Sequence, residues 1–186
     1  MPLPLVGKNI AILASNGFDE HQMTEIQRAL TKARATMKTV APEQGVINGW
    51  QGEGWGHYFP VDISISEALG SDFDALVLPG GERAMAKLKT NLHTRRIVNH
   101  FLEAGKPIAA IGAGVGLLAL SKEIAGQTVS APENVHDDLI AAGAIASDEA
   151  MMRQDNILTA DGSEVSAWVE GALEFFGNAD ELSRAA

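Results

Sequence analysis

Unbroken apolar runs that end in glycine-rich turns constrain this chain more than any other feature. Residues 9–14 read Asn-Ile-Ala-Ile-Leu-Ala and stop at Ser15-Asn16-Gly17. Residues 73–78 read Phe-Asp-Ala-Leu-Val-Leu and stop at Pro79-Gly80-Gly81. Residues 108–111 read Ile-Ala-Ala-Ile and stop at Gly112-Ala113-Gly114. A strand with water on one face alternates apolar and polar side chains. A strand apolar throughout is covered on both faces, as in a parallel sheet between helix layers. Helical spacing fills the intervals, with Met23, Ile26, Ala29, Leu30 and Ala33 in one and Ile97, Val98, Phe101 and Leu102 in another. The alternation predicts an α/β three-layer sandwich with a mostly parallel central sheet, right-handed crossovers and the 108–111 strand at its centre. Ligands on such sheets bind beyond the carboxyl ends of the strands. The turns at 15–20, 79–83 and 112–116 lie there.

The remaining segments fit the same plan. Residues 36–40 read as a second strand and 156–160 as a late one. Residues 44–60, rich in Gly, Trp and other aromatics, predict a hairpin or an ordered loop. Residues 133–142 predict a helix ended by Gly143. Ser163 is the expected cap of a closing helix through Phe176, with Glu164 in its first turn. Residues 178–186 read as a flexible tail. No repeat or linker interrupts the 186 residues, so one domain over 1–177 is expected. A formal charge of −10 argues against nucleic acid or an anionic membrane as partner. No run approaches the roughly 18 apolar residues of a membrane span. Residues 1–7 lack the basic start and apolar core of a secretory signal, which makes a cytoplasmic location the expectation.

The stretch Lys106-Pro-Ile-Ala-Ala-Ile-Gly-Ala-Gly-Val-Gly-Leu-Leu-Ala-Leu120 reads as strand, glycine turn and helix start. A sharp turn of this kind raises one side chain at the carboxyl end of a sheet, beside backbone N–H groups that stabilise an oxyanion. Enzymes place a nucleophile there. This chain places Gly112 and Ala113 there, and neither side chain attacks, transfers a proton or binds a metal. The sequence contains no cysteine, which removes disulfides, thiolate metal sites and a cysteine nucleophile. What the turn retains is backbone: N–H groups near Gly80, Gly81, Ala113 and Gly114 that together form an anion-accepting nest.

Several strings, in order, resemble the ThiJ/PfpI superfamily and its branch of PfpI-like intracellular proteases. They are Ile12-Leu-Ala-Ser-Asn-Gly-Phe-Asp19, Trp55-Gly-His-Tyr-Phe-Pro-Val-Asp62, Phe73-Asp-Ala-Leu-Val-Leu-Pro-Gly-Gly81, Gly105-Lys-Pro-Ile-Ala-Ala-Ile111 and His136-Asp-Asp-Leu-Ile-Ala-Ala-Gly143. The resemblance implies a flavodoxin-like, class I glutamine amidotransferase-like fold and a homo-oligomer, dimer or larger. In active members the elbow reads Ile-Cys-His-Gly-Pro; here it reads Ile111-Gly-Ala-Gly-Val115. Gly112 therefore takes the nucleophile's position and Ala113 that of the histidine. The family's acidic partner, a glutamate after Gly-Phe, falls on Asp19. The peptidase, deglycase or hydratase activity that membership implies loses its thiolate.

Other residues suggest chemistry less well. Glu20 and His21 read as the acidic start of a helix. His136, Asp137 and Asp138 are adjacent on a helix and point in different directions, so they are not a metal set. No metal or cofactor is expected. Gly112-Ala-Gly-Val-Gly116 has the wrong spacing for a dinucleotide fingerprint. Ser15, Ser130 and Ser163 have no histidine close in sequence. Trp50, Trp55, Tyr58 and Phe59 suit a pocket wall, a subunit contact or plain packing. Two functions follow. One is a non-catalytic family member that binds a small anionic or carbonyl ligand in a degenerate elbow, with a regulatory or structural role. The other is a cysteine-independent lyase, hydratase or hydrolase that uses Asp19 as general base and the nest as its anion site.

Overall fold

The computed structural model describes residues 5–185, of which 180–185 by backbone alone. The strands and helices run in the order β1 (Asn9–Leu13), β2 (Phe18–Asp19), α1 (Glu20–Lys32), β3 (Thr36–Ala41), β4 (Val46–Trp50), β5 (Trp55–Pro60), β6 (Ile63–Ser64) and β7 (Ala75–Leu78). They continue with α2 (Glu82–Leu88), α3 (Leu92–Glu103), β8 (Ile108–Ile111), β9 (Thr128–Ser130), α4 (His136–Ala141), β10 (Ile145–Ser147), β11 (Met151–Gln154), β12 (Ile157–Ala160) and α5 (Val165–Ala185). Seven strands form the main sheet in the order β11-β12-β8-β7-β1-β3-β6. Every pair in it is parallel except β11 with β12. The three-layer α/β architecture read from the apolar runs is the one observed.

The core follows from those runs. All four residues of β7, β8 and β12 are buried. On α1, Met23, Ile26 and Leu30 face the sheet; on α3, Ile97, Val98 and Phe101 do so. Asn91 caps α3 through Oδ1, which accepts from the His93 N–H at 2.9 Å. Phe101, Trp168, Phe175 and Phe176 are among the largest fully buried side chains and tie α3 and α5 into the core.

Four local readings change. The segment after β8 is a nine-residue 3₁₀ helix, Gly112–Leu120. Its first five residues hold three glycines, which pay the largest backbone entropy in an α-helix. A Cβ on Gly114 would overlap the Leu78 and Pro79 carbonyls, so the turn must press its bare backbone on the end of β7. Residues 133–142 divide into a 3₁₀ turn, Glu133–Val135, and α4. Ser163 does not cap α5: its Oγ donates to Asp161 Oδ1 at 2.6 Å, and Glu164 supplies the first helical carbonyl, accepting from the Trp168 N–H. The α5 backbone also continues past Phe176 through the segment read as a tail.

The 44–60 segment is a hairpin. β4 and β5 pair antiparallel, and β2 adds to β4 to make a small three-stranded sheet. This sheet stands above α1, beside the carboxyl ends of the main strands.

Candidate functional site

Parallel register assembles the site. Ile12 pairs with Val77, Leu78 with Ala110, and Ile111 with Ala160. The chain leaves all four strands at one edge, so the turns after β1, β7, β8 and β12 converge there. They surround a cleft of about 360 Å³ whose wall includes Asp19, Gln22, Arg83, Gly112, Ala113 and Asp161.

Gly112 is the elbow. Its φ of +59° lies in the left-handed region, which a side chain makes costly. Space is tight as well: a Cβ there would stand 3.2 Å from Gln22 Nε2, and that side chain would have to shift by a few tenths of an ångström. The backbone thus holds the strained shape that presents a reactive side chain, with no side chain on it. Ile111, which precedes the helix, gives no side-chain cap to the first N–H groups of the turn.

Asp19 lines the same cleft, but its position has a structural cause. It is the N-cap of α1, and Oδ1 accepts from the Gln22 N–H at 3.1 Å. Its own N–H donates to the Gly80 carbonyl at 2.9 Å. The group closest to the elbow is instead Gln22, which sequence reasoning passed over. Gln22 is buried, with 6% of its surface exposed. Its Oε1 accepts from the Gly80 N–H at 2.7 Å. Within a carboxamide only the oxygen accepts, so this bond fixes the orientation of the group and turns Nε2 toward Gly112 and Gly162. The signal was present: residues 22, 26 and 30 share one face of α1, and Ile26 and Leu30 are core, so Gln22 is a polar residue in a buried stripe.

This bond also alters the nest read from the sequence. The Gly80 N–H is spent on Gln22. Gly81, at φ +113°, packs so closely on β2 that a Cβ would overlap the Gly17 carbonyl and the Asp19 nitrogen. Ala113 and Gly114 lie at the start of the 3₁₀ helix, on the elbow's own side of the cleft.

Glu20 is no solvated helix start. It is 6% exposed, and Gly49 and Gly56 leave the room for it: a Cβ at either would collide with its side chain. Its carboxylate accepts from the His57 N–H at 3.1 Å and pairs with His57 Nδ1 at 2.5 Å. Burial pushes the Glu20 carboxyl up, but the side-chain and backbone bonds from His57, with its charge, outweigh that and hold it below the usual value. This latch ties β5 to α1. His21 is exposed at the start of α1.

The other candidates resolve as structure. Arg83 stacks on Trp50, 3.9 Å from the ring centroid, and Trp50 meets Trp55 edge-on. His136 Nε2 bonds the Ala131 carbonyl at 2.7 Å, and Asp138 pairs with Lys89 at 3.2 Å. Among the described residues, no three His, Asp or Glu side chains are grouped as metal ligands. Ser15 is buried and donates to Glu43 Oε1; Ser130 donates to the Glu149 carbonyl. Among the described residues, no helix is long and apolar enough to cross a membrane.

Comparison with known proteins places this geometry. The family model described as the DJ-1/PfpI family matches residues 8–174. General stress protein 18 of Bacillus subtilis is 30% identical over 156 residues, 83% of this chain and 88% of that protein. Deglycase PfpI of Pyrococcus furiosus is 30% identical over 134 residues, 72% of this chain and 78% of that protein. A solved two-domain protein of Anabaena variabilis, containing DJ-1/ThiJ/PfpI-like and ferritin-like domains, superposes with a TM-score of 0.83 at 26% identity. That match covers 91% of this chain and 48% of the other, so the chain spans about half of that protein. The family's members include deglycases and proteases. With a matching sheet, a match across most of its length and a strand–turn–helix elbow that carries glycine in a cysteine-free sequence, the chain belongs to the DJ-1/PfpI family.

Proposed function

We propose that this protein is a non-catalytic member of the family whose elbow cleft binds a small ligand bearing a carbonyl or anionic oxygen, in a regulatory or structural role. One observation carries the reading: Gly112 keeps the left-handed elbow, and the nearest side-chain group to its missing Cβ is the neutral amide of Gln22. An amide neither attacks nor takes a proton at neutral pH, whereas it and the backbone N–H groups of the turn hold an oxygen well. A cleft of about 360 Å³ leaves room for one. The test is a titration of the protein with small carbonyl compounds and anions, followed by 1H–15N NMR at Gly112, Ala113 and Gly114. Saturable shifts at these residues support the reading; silence there with every compound overturns it.

The second reading, an enzyme with Asp19 as base, draws on the presence of Asp19 in the same cleft. It requires a carboxylate that is already an N-cap to exchange that bond for a substrate proton. Turnover that is lost in Asp19→Asn would establish it. A single domain over 1–177, a homo-oligomer and a cytoplasmic location complete the proposal. They rest on the continuous run of elements and on the family resemblance, and light scattering tests the assembly.

A further inference from the structure

We infer that the elbow cleft selects a small neutral primary amide or ureide over an anion, with Gln22 as the specificity-determining residue; this rests on the ligand-binding reading above. Gln22 is more than nine-tenths buried, yet half of its polar group is unused. Oε1 is held by the Gly80 N–H, while Nε2 makes no hydrogen bond among the described residues and faces the clearing between Gly112 and Gly162. A Cβ on Gly162 would stand 3.5 Å from Nε2 and 3.7 Å from the Gly112 Cα, so both glycines keep that clearing open. The residue is buried but Nε2 itself opens on the cleft, so a ligand oxygen placed there accepts its N–H in place of water. The uncapped start of the 3₁₀ helix at Gly112 lies against the same clearing and supplies further N–H donors.

Charge decides what kind of oxygen. The cleft is lined by three carboxylates, Asp19, Glu82 and Asp161, against one cation, Arg83. Arg83 is stacked on Trp50. Glu82 accepts from the Asn134 side chain at 2.7 Å, and Asp161 Oδ1 accepts from the Ser163 N–H and Oγ. The whole chain carries −10. This field repels a carboxylate or phosphate. A neutral carbonyl escapes the repulsion and still accepts from Nε2. An N–H₂ on the same carbon gives the ligand donors for the carboxylates that line the cleft. Acceptor and donors on one small planar group define a primary amide or ureide.

The test uses the full chain and four probes: acetamide, N-methylurea, acetate and inorganic phosphate, each titrated at pH 7. The Gln22 side-chain NH₂ and the Gly112 and Ala113 amides are followed by 1H–15N NMR. The inference expects saturable shifts with the two amide-type probes and none with acetate or phosphate. It also expects Gln22→Glu to weaken amide binding about tenfold, the loss of one hydrogen-bond donor. That variant keeps an acceptor for the Gly80 N–H, so the fold has its partner. Should it still fail to fold, the wild-type NH₂ shifts decide the matter alone. Shifts with acetate or phosphate and none with amides overturn the ligand class and leave the ligand-binding reading standing. Silence with every probe overturns both. Equal amide binding by Gln22→Glu overturns the role of Gln22.

Discussion

Gly112 and Gln22 divide the elbow between them, one by backbone and one by side chain. At Gly112 the φ of +59° and the close Gln22 amide both resist a side chain, and substitution measures their sum. Gly112→Ala should lose about 1–2 kcal/mol in urea unfolding, from the left-handed backbone and the tight contact with Gln22. Gly54, which has no positive φ and no atom near its missing Cβ, is the control. Gly54→Ala should be neutral or gain about 0.4–1 kcal/mol by restricting the unfolded chain. An equal loss at both positions would contradict the strain account. Gly112→Cys alone should give only a mildly reactive thiol toward iodoacetamide, because the helix start and the Gln22 amide favour a thiolate while the carboxylates lining the cleft, Asp19 among them, oppose it. The double variant with Ala113→His should react faster at neutral pH. A single variant as reactive as the double would show that the imidazole matters little. The glycine at the elbow was legible from sequence because a glycine turn after an apolar run has few other meanings. Gln22 had its signal in the buried stripe of α1 but was passed over, because Asp19 at the end of the first-strand turn drew the chemistry to itself. The real duties of Asp19 and Glu20 are a cap, closed on Gln22 three residues on, and a latch set by His57 far along the chain.

At the scale of elements, two titrating groups pin segments around the sheet. Glu20 fastens β5 to α1, and its folded pKa lies below the ordinary 4.5. A depressed carboxylate stabilises the fold fully above the unfolded pKa and loses that contribution as pH falls through the folded one. Urea unfolding between pH 7 and pH 3 should show wild type losing more stability than Glu20→Gln. Parallel losses in the two proteins would remove the latch from the account. His100 works from the other side. Burial, then the charge of Lys106, holds its pKa below 6.5, against a smaller opposing effect of Glu103. Lys106 Nζ donates to His100 Nε2 and to the Gly70 and Phe73 carbonyls at 3.0–3.1 Å. The folded state binds fewer protons here, so the His100 contribution is whole above pH 6.5 and declines as pH falls below it. His100→Gln should flatten the stability profile between pH 7.5 and 5.5; an unchanged profile would contradict this. The long elements were legible because burial on both faces, or on one helical stripe, writes itself into the sequence. β2, β6, β9 and β10 have two or three residues each, too few for any period to show. β11, with the exposed Met151, pairs at the sheet edge through backbone bonds that leave no apolar pattern.

The whole molecule has the architecture of its family, and its cleft is built from the residues of this chain's own turns. Seven strands in one sheet and four converging turns still build a site at the carboxyl edge. The side chains there supply hydrogen-bond donors and carboxylates, and no thiol or imidazole stands at the elbow. The most direct measurement is turnover. Purified protein is incubated with a deglycase substrate and with a peptide substrate, with and without iodoacetamide, beside an active family member. The account predicts no turnover above the uncatalysed rate in either case and no effect of iodoacetamide. Robust turnover that disappears in Asp19→Ala would contradict it and establish a cysteine-independent enzyme in its place.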